Sequence, residues 1–201
     1  MKTINLSEIL NQNSFTKKNF YIYTLHCLLG SLFLGLMAQF SITLPFTPIP
    51  ITMQSLALFL LIIAQGKSKA TGSVLFYLIQ ATLGFPVLHM GIPNPLWMIG
   101  PTGGYLIGFV AFTLIAGMLL EKRKTPGILW IALSLTVGNL LLLSIGTLHL
   151  AFFVGIQNAF QMGFAPFIIG SFLKIICACC ASVPITYGKS FLNSFKLINY
   201  D

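Results

Sequence analysis

The feature that most constrains this chain is the separation of its charges from its long apolar runs. Of its 201 residues, 56% are hydrophobic and only 7% are charged. The acids Glu8, Glu121 and Asp201 and all but one of the eleven Lys and Arg residues lie near the two ends or in two short connections. Runs of about twenty apolar residues are long enough to cross a bilayer as helices, and a soluble domain does not have this composition. The sequence therefore predicts an all-α membrane protein.

Six apolar runs are expected to be transmembrane helices. They cover about 19–42, 50–65, 70–88, 102–121, 127–148 and 166–185. The basic residues outside them are Lys2, Lys17, Lys18, Lys67, Lys69, Lys122, Arg123, Lys124, Lys189 and Lys196. With six crossings these residues all fall on one side, and basic connections mark the cytoplasmic side. Both termini are therefore predicted to be cytoplasmic, and the chain to be a multi-pass protein of the cell (inner) membrane.

This topology divides the chain into three parts. Residues 1–18 are expected to form a polar cytoplasmic segment, 19–188 a six-helix membrane domain that binds a substrate, and 189–201 a cytoplasmic tail. The three connections on the opposite side carry no Lys, Arg, Asp or Glu. Backbone at membrane depth must be satisfied internally or line a cavity. The interrupted segments 88–104 and 150–165 are therefore interpreted either as the walls or lid of an outward-facing pocket, or as interfacial loops.

Lys174 is the one basic residue inside an apolar run. A charge at bilayer depth costs about 2.5–3.5 kcal/mol on insertion scales and usually marks a functional site, although a Lys near a helix end can snorkel to the interface. If a helix begins at Pro166, Lys174 lies about 12 Å further in, with Ser171 on the same face. No carboxylate is present in the apolar runs. We therefore expect either a neutral amine or an anionic ligand group at Lys174.

Uncharged polar residues supply the other candidate contacts. Gln54 lies near the outer end of a short span, where its amide would suit a urea or amide group, or would bond between helices. The motif 99–105 contains Thr102, Gly103 and Tyr105. Gly103 would let a ligand approach the backbone, and Tyr105 offers a flat face with a hydroxyl, while the four-residue Gly spacing of this motif also favours helix packing. The substrate-binding prediction further includes Asn94 and Asn158, in two of the uncharged connections.

A small-residue ridge runs along the first span. Cys27, Ser31 and Gly35 recur at four-residue spacing and would lie on one helix face. Such a ridge allows close approach of another helix, which could belong to this chain or to a second membrane subunit.

Several function classes are disfavoured. The basic residues lie in connections on one side, so the net charge of +8 does not indicate nucleic-acid binding. Two Gly-Lys-Ser triplets lack the Gly that a phosphate-binding loop requires five positions earlier. No pattern of His, Cys, Asp or Glu predicts a metal or cofactor, and the apolar runs hold no acid for a proton or sodium relay. If the chain transports uphill, its energy is expected to come from another polypeptide.

Three sequence blocks resemble the BioY family, the biotin-binding S-components of energy-coupling-factor (ECF) transporters. They are Pro48-Ile-Pro-Ile-Thr-Met-Gln54, the pair Tyr77–Val87 and Gly100–Tyr105, and Ala165-Pro-Phe-Ile-Ile-Gly-Ser-Phe-Leu-Lys174. The resemblance implies six helices, no enzymatic activity, a biotin site near the outer surface, and partners consisting of a membrane scaffold subunit and two ATPases. It also implies that the ridge of Cys27, Ser31 and Gly35 faces the scaffold subunit.

The chain departs from the family pattern at two places. Ser171 stands where the family usually has Asp, and residues 87–99 replace a Gly-rich loop that often contains Arg. These departures leave open a transporter subunit for another carboxylated vitamin or precursor. An integral-membrane enzyme that uses Lys174 as nucleophile or base is a further alternative, since desolvation can activate a Lys.

Overall fold

The computed structural model describes the backbone of residues 6–198 and the side chains of residues 19–185. Most of this part of the chain is helical. The elements in chain order are α1 (Leu6–Gln39), β1 (Ser41–Ile42), β2 (Ile51–Thr52), α2 (Gln54–Thr82), a 3-10 turn (His89–Gly91), α3 (Gly103–Glu121), α4 (Ile128–Val154), α5 (Ile156–Ala159), a π-helical turn (Phe160–Phe164) and α6 (Ala165–Ile198). Strands β1 and β2 pair antiparallel and close the loop between α1 and α2.

Four helical stretches in the described part of the chain are long and apolar enough to cross a membrane. They are Asn19–Gln39, Gly103–Glu121, Ile128–Val154 and Ile156–Ile185. Large apolar side chains remain on the outside of these helices, and Leu129 and Phe152 are 87% and 89% exposed. Apolar surface on this scale marks contact with lipid or protein rather than with water. The predicted class, an all-α membrane protein, is confirmed, while the count of six spans and the side of the termini stay predictions.

Helix α2 contains both the second and the third predicted span. Its backbone breaks at Gly66, whose φ of 77° lies in the left-handed region that glycine tolerates. At this bend the Lys67 ammonium lies 3.2 Å from the Glu121 carboxylate at the end of α3. The prediction of a span reaching residue 88 was wrong, because α2 ends at Thr82. Gly84, with a φ of 84°, and then Pro86 turn the chain away from helical geometry.

The segment 149–165 is more helical than the sequence suggested. Helix α4 does not end near Leu148 but continues to Val154, where Gly155 breaks it with a φ of 80°. Helix α5 and the π-helical turn then lead directly into α6. Pro166 was predicted to begin the sixth helix, and this was wrong, because helical backbone already runs from Ile156 through the π-helical turn into α6.

The core lies where α3 packs between α2 and α4. A Cβ on Gly108 would lie 3.0 Å from the Leu142 carbonyl oxygen, so this glycine is what lets α3 and α4 pack backbone to backbone. The rings of Phe59 on α2 and Phe112 on α3 pack with centroids 5.1 Å apart and are fully buried. This tight α3–α4 pair fixes the level at which side chains of α4 face the cavity described below.

Candidate functional site

A cavity of about 150 Å³ lies at the loop end of the helix bundle, on the side of the uncharged connections. Its walls come from β2 and the start of α2, the loop at 88–94, the first turns of α3, the middle of α4 and the first turns of α6. Most of the lining is apolar, including Ile49, Phe109 and Phe167. A mainly apolar cleft with a few polar side chains is the usual form of a small-molecule site.

Lys174 enters this cavity from α6. Its Nζ donates hydrogen bonds to the Thr52 carbonyl oxygen at 2.7 Å and to the Ser55 Oγ at 2.8 Å. These two bonds tie α6 to β2 and to the first turn of α2. No carboxylate within salt-bridge distance of Lys174 occurs among residues 19–185, where the ion pair found is that of Lys67 with Glu121. The ammonium is therefore held by neutral oxygens, and its third N–H has no partner in this region.

Gln54 is 4% exposed and belongs to a hydrogen-bonded chain beside the cavity. Its Nε2 donates to the Tyr77 hydroxyl at 2.6 Å, and that hydroxyl donates to the Val87 carbonyl oxygen at 3.2 Å. The Gln54 Oε1 accepts a bond from the Thr52 hydroxyl at 3.1 Å. One N–H and one acceptor position of the amide remain, so Gln54 both joins α2 to the 82–88 turn and presents polar atoms to the cavity.

Tyr105 forms part of the wall between α3 and α6. Its hydroxyl donates to the Gly163 carbonyl oxygen at 2.8 Å, which satisfies one of the carbonyls in the π-helical turn. Its ring lies 6.0 Å from that of Phe167 at an interplanar angle of 30°. The hydroxyl is thus used within the chain, and what Tyr105 presents to the cavity is mainly aromatic surface.

The loop at 88–94 lines the cavity with His89 and Asn94. The Nδ1 of His89 is buried without a hydrogen-bond partner. Burial lowers the pKa of His89 from its ordinary value, so the ring is held in its neutral form. Next to this loop, the Trp97 Nε1 donates to the Thr82 Oγ1 at 3.0 Å, which fastens the loop to the end of α2.

The structure brings together most of the substrate-binding residues predicted from the sequence. Those that line the cavity are Lys174, Ser171, Gln54, Thr102, Tyr105 and Asn94. Gly103 lies outside the lining, because it packs on the preceding turn, where a Cβ would lie 2.5 Å from the Met98 carbonyl oxygen. Asn158 lies on α5, with its Nδ2 bonded to the Val154 carbonyl oxygen at 3.0 Å. Neither is brought to the cavity.

The ridge on α1 packs within the chain. Cys27 and Ser31 are fully buried, and the Cys27 Sγ lies 3.7 Å from the Lys69 carbonyl oxygen on α2. Ser31 Oγ accepts a bond from Gln80 at 3.3 Å, and Gly35 is buried against Val87. The prediction that these three residues dock a partner is corrected accordingly, since the ridge already faces α2 and the turn after it.

Ser55 and Asn139 are polar residues at the cavity that did not emerge from sequence reasoning. Ser55 is the hydroxyl partner of Lys174, and nothing in the sequence distinguishes it from other serines near helix starts. Asn139 lines the cavity from α4 and is 4% exposed. Apart from Asn19 at the very start of the first span, it is the only Asn in the six predicted spans, and a polar side chain in an apolar run was the same signal that singled out Lys174. Within the described residues, no group of three or more His, Cys, Asp or Glu could hold a metal ion.

The fold and the cavity define a polytopic helical membrane protein with a small-molecule site between its helices. Its fold matches that of a crystallised S-component for biotin from an ECF-type ABC transporter, with a TM-score of 0.74, 20% sequence identity, and coverage of 92% of this chain and 95% of that one. The BioY family matches residues 11–188. The chain belongs to the BioY family.

Curated relatives agree with this assignment. The biotin transporter BioY of Thermotoga maritima is 32% identical over 138 residues, which are 68% of this chain and 80% of the relative. The biotin transporter BioY2 of Lactococcus lactis subsp. cremoris is 28% identical over 181 residues, 89% of this chain and 98% of the relative. The probable biotin transporter BioY of Pyrococcus horikoshii is 34% identical over 137 residues, 68% of this chain and 79% of the relative.

Proposed function

We propose that this chain is the biotin-binding subunit of an ECF-type transporter and that biotin binds in the cavity around Lys174. The family membership and the relatives named as biotin transporters support this substrate over another carboxylated vitamin and over an enzymatic role of Lys174. The observation that carries the proposal is the ammonium of Lys174 in an apolar cavity with no carboxylate of the described chain beside it.

The carboxylate of the ligand is the counter-charge that this ammonium lacks. Two of its three N–H groups are used by the Thr52 carbonyl and the Ser55 hydroxyl, which leaves one for a ligand. A carboxylate would make a charge-assisted hydrogen bond there, in surroundings where a lone charge is costly. Ser171, on the same helix, is neutral, so it does not compete with the ligand for the ammonium as an Asp at this position would.

The remaining cavity residues would hold the rest of the ligand. Tyr105 and the apolar wall would pack against its ring system and its aliphatic chain. Gln54, Asn94 and Thr102 line the same space and would offer neutral polar contacts at the other end. Neutral amides and hydroxyls suit an uncharged cyclic urea, which both donates and accepts hydrogen bonds.

In the membrane, we propose six crossings with both termini in the cytoplasm. The two arms of α2, 54–65 and 67–82, would count as two of these crossings, and the bend at Gly66 would face the cytoplasm beside Lys67 and Glu121. The cavity would then open to the outside of the inner membrane. A membrane scaffold subunit and two ATPases would supply the energy, since the chain has only three acids and they lie in its ends and in a charged connection.

Uptake of labelled biotin by cells that lack their own biotin transport tests this function. We expect uptake when the chain is co-expressed with a scaffold subunit and ATPases that accept it, and loss of concentrative uptake when a catalytically inactive ATPase replaces the active one. As a control, cells that express the scaffold subunit and the ATPases without this chain should take up no biotin. Equal biotin uptake with and without the chain would contradict the proposal.

A further inference from the structure

Asn139 is a buried amide in the middle of α4 that is not used by the fold. It is 4% exposed and lines the cavity. Among the residues that the structure describes, none donates a hydrogen bond to its side chain or accepts one from it. Buried polar groups in native proteins are nearly always paired. In the described residues the fully buried side-chain atoms without a partner are Gln80 Oε1 and His89 Nδ1, so the Asn139 amide is not sealed in the core but keeps access to the cavity.

The contrast with Gln54 separates this amide from one that only joins helices. Gln54 is equally buried, but it bonds to Tyr77 and to Thr52 and so connects parts of the chain. The other residues of α4 that line the cavity, Leu142 and Leu143, are apolar, and so is Phe109 on the adjoining helix α3. Nothing in the described fold therefore accounts for an amide rather than a Leu at this position.

The packing of α3 on α4 places Asn139 at the inner end of the cavity. Leu142 lies against Gly108, and Gly138 lies against Phe112, one turn further from the loops. The deepest residue that α3 contributes to the lining is Phe109, and Asn139 lies slightly further from the loops than Phe109 does. Lys174, by contrast, is bonded to Thr52 and Ser55 at the loop end of α2. The cavity thus has a cation at one place and an unpaired neutral amide at its floor.

We propose that Asn139 binds the cyclic urea of biotin at the floor of the cavity and so selects for the head of the ligand. This inference rests on the proposed function. An amide presents one carbonyl and two N–H groups, and a cyclic urea presents the complementary carbonyl and N–H groups, so the two can pair through two parallel hydrogen bonds. With the carboxylate at Lys174, the urea is the polar group left to satisfy this buried amide.

The test measures binding to the purified full chain and to three variants by titration calorimetry. Asn139→Leu removes the amide at similar size, and Asn139→Asp keeps the shape but replaces the donor group by a carboxylate. Thr136→Val is the matched control, because Thr136 is on the same helix but exposed, with its hydroxyl bonded to the Ala132 carbonyl. The ligands are biotin, biotin amide, and 2-iminobiotin, in which a protonated cyclic guanidine replaces the urea.

We expect Asn139→Leu to weaken the binding of biotin and of biotin amide by the same factor, about three- to tenfold, because one or two neutral hydrogen bonds are lost. Asn139→Asp should raise the affinity ratio of 2-iminobiotin to biotin by at least about tenfold, since the guanidinium gains a charged partner. Thr136→Val should bind all three ligands as the parent does. If Asn139→Leu fails to fold, the ligand ratio of Asn139→Asp decides the question.

Three outcomes would overturn the inference. Parent-like biotin affinity in Asn139→Leu would make Asn139 irrelevant to the ligand. If Asn139→Leu lost affinity for biotin but not for biotin amide, Asn139 would lie at the carboxylate of the ligand. An unchanged affinity ratio of 2-iminobiotin to biotin in Asn139→Asp would show that residue 139 does not contact the urea. In each of these the parent still binds biotin, whereas a parent that does not bind biotin would refute the proposed function itself.

Discussion

Replacing Lys174 by Met tests the role of the one cation in the cavity. Met keeps most of the stem volume and removes the charge, so the apolar packing of α6 should persist. In the structure Lys174 also bonds the Thr52 carbonyl at 2.7 Å and Ser55 at 2.8 Å. The substitution therefore removes a ligand contact and an internal tie together, and the assay must separate these two effects.

The magnitude follows from the kind of hydrogen bond that is lost. A bond between the ammonium and a carboxylate contributes about 1.5–3 kcal/mol, which is roughly one to two decades in dissociation constant. Biotin amide would present a neutral carbonyl to the same ammonium and depends less on the charge. Lys174→Met should therefore weaken the affinity for biotin by about ten- to a hundredfold, and biotin should then bind no more tightly than biotin amide.

Two further variants serve as controls in the same binding assay. Ser55→Ala removes the 2.8 Å hydrogen bond to Lys174 and leaves the charge in place, so any loss of affinity should be similar for biotin and for biotin amide. Lys122→Met makes the same chemical change at an exposed position of a charged connection and should bind as the parent does. Unchanged biotin affinity in Lys174→Met would refute the reasoning, and so would an equal loss for biotin and biotin amide.

Three other predictions concern topology, energy coupling and pH. In a variant background without the four native cysteines, Arg123→Cys should be protected from an impermeant thiol reagent in intact cells, whereas Asn94→Cys and Asn158→Cys should react; labelling at 123 from outside would contradict the six-span topology. The purified chain should hydrolyse no ATP, and sustained hydrolysis by the pure chain would contradict dependence on separate ATPases. Burial lowers the pKa of His89 below its ordinary value of 6.5, so the unfolded chain binds the proton more readily. The stability contributed by neutral His89 is thus fully present above about pH 6.5 and declines as the pH falls toward the lowered pKa of the folded state. The unfolding temperature should therefore fall from pH 7 to pH 5 by less in His89→Gln than in the parent. An equal fall in the two proteins would contradict this role of His89.

The membrane class and the central residue of the site were accessible from the sequence because both depend on the contrast between charge and apolar surroundings. Lys174 is a clear exception in an apolar run, and the structure places it in the cavity. Asn139 is an exception of the same kind, but an uncharged amide costs less to bury than a charge and is also common as a bond between helices. Sequence reasoning therefore did not single out Asn139, and only its lack of a partner in the described fold separates a ligand contact from a bond between helices.

Other features depended on which neighbour a residue meets. The spacing of Cys27, Ser31 and Gly35 correctly predicted a surface for close approach, but the neighbour is α2 of the same chain rather than a partner subunit. Gly103 was predicted to allow approach to the backbone, and in the structure what lies close to it is the Met98 carbonyl. Spacing along a helix determines which side chains share a face, whereas the tertiary fold determines what that face contacts.

The segment 149–165 illustrates a limit on element boundaries. Its Gly and polar residues suggested an interrupted connection, but a single left-handed glycine, Gly155, makes the break, and helical structure continues on both sides of it. The π-helical turn that follows is held by the bond from Tyr105 to the Gly163 carbonyl. That bond joins residues far apart in sequence, so local pattern could not have anticipated it.

The central claim, that this chain binds biotin by itself in the cavity around Lys174, is tested most directly by calorimetric titration of the purified chain with biotin. The titration is performed without nucleotide and without any partner subunit. We expect saturable binding of one biotin per chain, with an affinity that is weakened in Lys174→Met and retained in Lys122→Met. No saturable binding of biotin by the folded parent chain, or binding that Lys174→Met leaves unchanged, would contradict it.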